Sequence, residues 1–231
     1  MGKEGIMKIL HKMIALIWLI IFYLRQLPEL IYGVWKIFNL PQPVISIFGG
    51  HNITNQSQYA KWAKQLSERI VAHGISILTG GGPGIMEAAN CGAFRENYQN
   101  VHTMGIGVRG LLEEHVINPC VKELIMTNYF PLRKFLLIQY SVVYVIFPGA
   151  FGTLNEITEV ITLMHTRKLE VRPIILIGKE FWQPLAIWMQ QTIQDNLMHD
   201  EHPEYITFTD DLDEALSVII AYCEKCKVSK K

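Results

Sequence analysis

An α/β fold, a doubly wound parallel sheet flanked by helices, is predicted from three observations. Short unbroken apolar runs, such as VVYVIF at 142–147, read as strands buried on both faces. Stretches with apolar residues at helical spacing alternate with them. Three glycine-rich turns, Gly49-Gly50, Gly80 to Gly84 and Gly149 to Gly152, follow strands. Alternating strands and helices imply parallel pairing through right-handed crossovers. Ligands of such sheets bind beyond the carboxyl ends of the strands, where the crossovers diverge. The three glycine turns are therefore expected to cluster at one sheet edge.

Taken in order, the chain opens with an apolar segment, residues 1–27. Its centre runs from Met13 to Leu24 (MIALIWLIIFYL), with Lys8, His11 and Lys12 before it and Arg25 after it. Twelve helical residues rise about 18 Å, short of a hydrocarbon core of about 30 Å. Three readings stay open: a short membrane anchor, an interfacial helix, or a helix packed on the domain or on a second copy. Hydrophobicity on all sides with a basic edge leans toward membrane contact. A basic start before an apolar run also resembles a secretory signal, but no small-x-small cleavage site follows, so export is not expected. Ile6 breaks the myristoylation pattern.

The domain proper, residues 28–231, is expected to begin with a helix over 28–40. Pro28 suits its first turn, and Pro41 with Pro43 ends it. A strand over 44–48 follows. The helix over 58–73 carries Tyr59, Trp62, Ala63, Leu66, Ile70 and Val71 on one face, and Gly74 closes it. A strand over 75–78 enters TGGGPG, and a helix opens at Ile85. Strands over 105–108 and 123–126 flank a loop over 111–120. A helix over 133–140 leads to the strand at 142–147. The next helix is read from Leu154, Ile157, Val160, Ile161 and Met164. A strand over 173–177, a helix over 181–194, a strand over 205–208 and a helix over 212–226 complete the chain.

With 231 residues, half of them hydrophobic, the chain holds one medium domain and the extra segment. Its formal net charge is zero, which does not suggest a nucleic-acid surface. Of the four cysteines only Cys223 and Cys226 share C-x-x-C spacing, inside an amphipathic helix pattern and with no second pair. The cysteine count suggests a reducing compartment.

Glycine lets backbone approach a ligand closely and adopt positive φ. Neither long turn ends in Gly-Lys-Ser/Thr, and neither spells G-x-G-x-x-G with the distant acid of a dinucleotide site. TGGGPGIMEAAN offers several backbone N–H groups and Thr79 to one phosphate, and PGAFGT offers a second set. The bland reading is tight turning between strand and helix. Thr153 stands where it can cap a helix or donate to a phosphate. Glu156 is expected in the first helical turn, either as the acid of a T-x-x-E capping box or as a functional carboxylate beside the anion.

GGGPGIMEAAN and PGAFGTLNE resemble the paired signatures of the LOG (Lonely Guy) family, often labelled lysine decarboxylases. Tyr129-Phe130-Pro131-Leu132-Arg133-Lys134 resembles the family's Arg-Lys element. The resemblance runs from about Val44 to the C-terminal helix. It implies a Rossmann-like fold, a homodimer and a soluble cytoplasmic hydrolase without cofactor or metal, and the Met13 to Leu24 segment, open to membrane contact, is a departure from that pattern. The implied reaction cleaves the N-glycosidic bond of a purine nucleoside 5′-monophosphate, AMP or a cytokinin riboside monophosphate, to free base and ribose 5-phosphate. Carried over residue by residue, Arg133 and Glu156 are the catalytic pair. Gly80, Gly81, Gly82, Gly84, Gly149, Gly152 and Thr153 hold the phosphate, and Glu87 and Asn90 face the ribose or base. An oxocarbenium-like state near a carboxylate suits this assignment.

The chain departs from the family pattern at Ala150, where a second glycine is usual. A left-handed φ there would cost alanine roughly 1 kcal/mol or more. Two other functions stand beside the hydrolase: a non-catalytic, membrane-tethered purine-nucleotide-binding module, and a pyridoxal-phosphate decarboxylase using Lys134. Base specificity is expected from side chains such as Leu132 and those at 164–167.

Overall fold

Why seven short strands pair in parallel is visible in their burial. In the computed structural model, which describes residues 3–94, 102–110, 118–197 and 204–228, successive strand residues point to two different apolar layers. The strands are β1 (Val44–Phe48), β2 (Ser76–Thr79), β3 (Thr103–Val108), β4 (Glu123–Thr127), β5 (Tyr144–Ile146), β6 (Ile174–Ile177) and β7 (Ile206–Thr209). All pairings are parallel, in the order β4-β3-β2-β1-β5-β6-β7.

The helices are α1 (Lys3–Phe38), α2 (Gln58–Ala72), α3 (Ile85–Ala93), α4 (Phe130–Gln139), α5 (Phe151–His165), α6 (Lys179–Gln194) and α7 (Leu212–Val228). Ile45, Ile47, Ile77, Val145 and Ile175 face one layer with Leu66 and Ile70 of α2, Ala89 of α3 and Ile219 of α7. Val44, Phe48, Leu78, Tyr144 and Ile146 face the other with Ile37 of α1, Leu136 of α4 and Ile157 and Val160 of α5. A sheet covered on both faces needs apolar residues at every position, which is why the runs show no polar alternation.

The strand order reverses between β1 and β5. The chain winds outward through β2, β3 and β4, then α4 returns it across to β5 on the other side of β1. That switch point opens a crevice at the carboxyl ends of β1 and β5.

Four expectations are corrected here. The two N-terminal segments form one helix, with Pro28 inside it rather than at its start. Proline's fixed φ fits a helix and only one backbone bond is lost. No glycine or turn residue separates Leu24 from Pro28, and Leu30, Val34 and Ile37 pack the far end against the core. The helix after β5 begins at Phe151, three residues before Leu154. Cys91 of α3 is disulfide-bonded to Cys120, so the cysteine count does not argue for a reducing compartment. Cys223 is buried within α7, and burial pushes its thiol up to about 12. Finally, Leu132 and Met164 are buried in the core, and 164–167 lie at the far end of α5 from its glycine turn. Of the loop expected over 111–120, residues 111–117 lie outside the described residues.

Candidate functional site

The three glycine turns touch one another. Gly50 N–H donates to Pro148 O (2.9 Å), joining the first turn to the third. Ile85 N–H donates to Gly50 O (3.1 Å), joining the second to the first. Side chains are excluded at these contacts. A Cβ on Gly149 would strike the Thr153 hydroxyl and lie 2.9 Å from Gly50 N. A Cβ on Gly84 would meet Gly50 O and lie 2.6 Å from His51 O. Gly84 also has φ +69 and Gly81 φ +75, conformations that favour glycine.

Two helices begin at this junction, and neither has a side-chain cap. Gly84 is the N-cap of α3 and Ala150 the N-cap of α5, and neither makes a side-chain cap hydrogen bond. Ile85 N–H is taken by Gly50 O, and the backbone N–H groups that follow it in the first turn of α3, with those of the first turn of α5, are left for an anion or water. Gly152 has no heavy atom within 4 Å of where its Cβ would stand, so its face is open. Gly80 and Gly82 lie against Met86. Thr153 is buried inside the first turn of α5 rather than at its cap. The T-x-x-E capping box is therefore not formed, and Glu156 lies in the second turn. The strand ends so close to the helix start that the turn is completed by Gly149, and the motif falls one turn late.

Ala150 has φ −94 and ψ −152. That is ordinary backbone for an L residue, so the alanine carries no conformational penalty.

Arg133 reaches the second turn from α4. It is buried, its Nε donates to Ile106 O (2.8 Å), and its Nη2 occupies the space where a Cβ on Gly80 would stand. The guanidinium lies 5.5 Å from the Phe130 ring centroid. Glu156 is half-buried on α5. Desolvation pushes its carboxyl up to about 7, against the pull of Arg133 and Lys134 and with a further push from Glu159. The structure thus brings Arg133 and Glu156 within each other's field at the edge of the glycine crevice.

Lys134 is the tie between their helices. Its ammonium donates to Asn155 Oδ1 (2.8 Å) and pairs with Glu159, both on α5. Its sequence signal was the Arg-Lys element itself, but its partners are more than 20 residues distant.

Asn90 and Glu87 part company. Asn90 is fully buried: its Oδ1 accepts from the Thr79 hydroxyl (2.7 Å) and its Nδ2 donates to Thr103 Oγ1 (2.6 Å). Thr79 in turn accepts from Gly81 N–H (3.0 Å). These side chains face inward and shape the turn rather than a ligand. Asn118, which no local pattern singles out, completes the brace. Its Nδ2 donates to Asn90 Oδ1 (3.0 Å) and to Gly82 O (3.2 Å). Glu87 is in the first turn of α3 and accepts from Asn55 Nδ2 (3.3 Å) in the loop after β1, at the crevice rim.

A cavity of about 350 Å³ lined by Ile37, Gln42, Tyr140, Glu170 and Arg172 lies at the opposite, amino edge of the sheet and contains none of these residues.

Comparison with known proteins follows the same outline. The sequence model of a family described as possible lysine decarboxylase matches residues 86–219. A pyrimidine/purine nucleotide 5′-monophosphate nucleosidase of Escherichia coli (strain K12) is 26% identical over 163 residues, covering 66% of this chain and 36% of that protein. The chain thus spans about a third of that relative's length. A probable cytokinin riboside 5′-monophosphate phosphoribohydrolase of Oryza sativa subsp. japonica is 25% identical over 154 residues, covering 66% of this chain and 71% of that one. Among solved structures, a molybdenum cofactor carrier protein from Chlamydomonas reinhardtii superposes with a TM-score of 0.55 at 23% identity, covering 78% of this chain and 98% of that one. At that identity the likeness speaks to the fold alone.

Proposed function

This chain belongs to the family described as possible lysine decarboxylase, the family of the LOG phosphoribohydrolases, and from that premise we propose that it hydrolyses the N-glycosidic bond of a purine nucleoside 5′-monophosphate. The observation that carries the reading is Glu156, raised to about 7 by burial in the field of Arg133, beside two uncapped helix N-termini.

In this reaction the C1′–N bond breaks, water supplies the new C1′–O bond, and the proton that water loses ends on the departing base. The phosphate sits on the N–H groups opening α3 and α5, where the helix dipoles favour negative charge. The ribose then lies toward Glu156. As a carboxylate, Glu156 stabilises the oxocarbenium-like charge at C1′ and accepts the proton of the attacking water. A carboxyl titrating near 7 is matched to that exchange at neutral pH. Arg133, fixed by Ile106 O, binds a ribose or phosphate oxygen and helps keep Glu156 ionised. Decarboxylation through a lysine Schiff base is disfavoured, because the Lys134 amine is engaged by Glu159 and Asn155.

The test is product analysis after incubation with AMP, GMP, CMP and isopentenyladenosine monophosphate, with Glu156→Gln in parallel. Free base and ribose 5-phosphate from wild type alone support the hydrolase and rank its bases. Saturable nucleotide binding with no release from any of them overturns it in favour of a nucleotide-binding module.

A further inference from the structure

We propose that α1 crosses a lipid bilayer and holds the carboxyl edge of the sheet, and the glycine crevice with it, against the membrane surface. The inference concerns orientation and does not depend on the reaction above.

The first support is the exposure of α1. Residues 13–20, two full turns, are apolar and exposed all round the helix, from Met13 (55% exposed) to Trp18 (60%) and Ile20 (49%). A second copy lying along the helix would cover one stripe, whereas lipid surrounds it. An 18-residue window of this helix has mean hydropathy 1.8. Sixteen residues lie between Lys8 and Arg25, a rise of about 25 Å from one to the other, close to the thinner hydrocarbon cores of about 27 Å. The basic residues Lys8 and Lys12 at one end and Arg25 at the other match the charge of anionic headgroups, with Lys12 snorkelling outward.

The second support is direction. The C-terminal half of α1 is fastened along α4, the two helices running parallel. Phe22 packs edge-on against Tyr129 (5.2 Å between centroids), and the Glu29 carboxylate accepts from Asn128 N–H (2.9 Å). Gly33 abuts Leu136, Lys36 pairs with Glu123 (2.7 Å), and Phe38 packs on Tyr140 (5.7 Å). Tyr129 lies two residues past the carboxyl end of β4, while Glu123 starts that strand. The helix therefore runs past the sheet from its carboxyl edge at Phe22 to its amino edge at Phe38, and everything before Phe22 projects beyond the edge that carries the crevice. From Phe22 that projection is about 21 Å to Lys8 and about 28 Å to the start of the helix at Lys3.

Two aromatic side chains stand exposed at the same edge. Phe130 opens α4 at 40% exposed, and Phe151 follows Ala150 at the mouth of the third glycine turn, 88% exposed. Aromatic rings at this level suit the interfacial layer of a bilayer.

The experiment uses the full chain with vesicles of phosphatidylcholine and phosphatidylglycerol. Flotation is measured for wild type and for the double variant Ile14→Lys, Ile17→Lys. Both side chains are exposed, so an unchanged melting temperature checks the fold. Wild type is expected to float and the variant to lose flotation at least tenfold. Orientation is then read with a fluorophore at Phe151→Cys or His73→Cys, in a Cys223→Ser, Cys226→Ser background, and lipids carrying a headgroup nitroxide. His73 is exposed at the end of α2 on the amino edge. Quenching several-fold stronger at position 151 than at 73 is expected, and equal quenching overturns the orientation. Wild type that stays unfloated as a lipid-free oligomer overturns the bilayer and assigns the surface to copies of this chain.

Discussion

Replacing Glu156 by glutamine is expected to remove activity while making the protein more stable above neutral pH. A carboxyl that titrates near 4.5 in an unfolded chain and at about 7 in the fold is favoured in its neutral form by folding. Below pH 4.5 both states hold the proton and nothing is lost. Between 4.5 and 7 the unfolded chain ionises first, and stability falls by about 1.4 kcal/mol per pH unit. Above 7 the loss is complete, at most about 3 kcal/mol, and partial solvent contact lowers that to about 1–3 kcal/mol. Glutamine does not ionise, so Glu156→Gln regains this amount only at high pH. For a chain of this size 1 kcal/mol moves the melting temperature by about 2–4 °C, so the expected gain at pH 8 is about 2–12 °C. Differential scanning fluorimetry between pH 5 and 8.5 measures it. A variant no more stable than wild type at pH 8, or equally favoured at pH 5 and 8, refutes the desolvated carboxyl. On the catalytic side, wild-type kcat should rise about tenfold per pH unit below 7 and level off above it.

The remaining predictions separate the roles of the glycine turns and the helix tie. Gly149→Ala drives a methyl into Thr153 and toward Gly50 N, so thermal unfolding should show a loss of about 1–3 kcal/mol. Gly152→Ala points its methyl into open space, so its melting temperature should hold while calorimetry shows weakened AMP binding. Ala150→Gly should lower stability by up to about 1 kcal/mol without raising kcat, because φ at this position is already ordinary for alanine. Lys134→Met removes a charge that holds the Glu156 carboxyl down, so the pH–kcat midpoint should move above its wild-type value. Its partly exposed ion pair adds at most about 1 kcal/mol to stability.

Where the sequence speaks through burial, it was read with little loss. β1, β2 and β6 fall within a residue of their predicted limits, because a strand covered on both faces must be apolar throughout. The clustering of the three turns followed from parallel topology alone. Capping chemistry misled. Thr153 and Glu156 have capping-box spacing, but the tight turn at Gly149 starts α5 at Phe151, so the same residues fall inside the helix. α1 fused because a single proline without a neighbouring glycine or turn residue does not end a helix. The long-range partners could not be read. Asn118 closes onto Gly82 and Asn90 from a distant loop, and Lys134 meets Glu159 across two helices. Such contacts leave no period and no motif. Asn90 illustrates the converse: its position on the helix after a phosphate-like turn suggested a ligand contact, yet it serves the turn from below.

The choice between a hydrolase and a mere nucleotide-binding module turns on the same carboxyl. A site that only had to hold a nucleoside monophosphate would gain from every cation and N–H donor here and lose from an acid. Glu156 opposes an anionic ligand when ionised and destabilises the fold above pH 7 through its own desolvation. Glutamine would fill the same space without either cost. Arg133 and Lys134 both lower the cost of ionising Glu156, and Lys134 also ties α4 to α5 beside it. An acid that costs stability, with nearby cations moderating that cost, is the arrangement expected where a carboxylate must meet positive charge developing at C1′ and take a proton from water. The binding-module reading gives Glu156 no task, and this asymmetry favours catalysis.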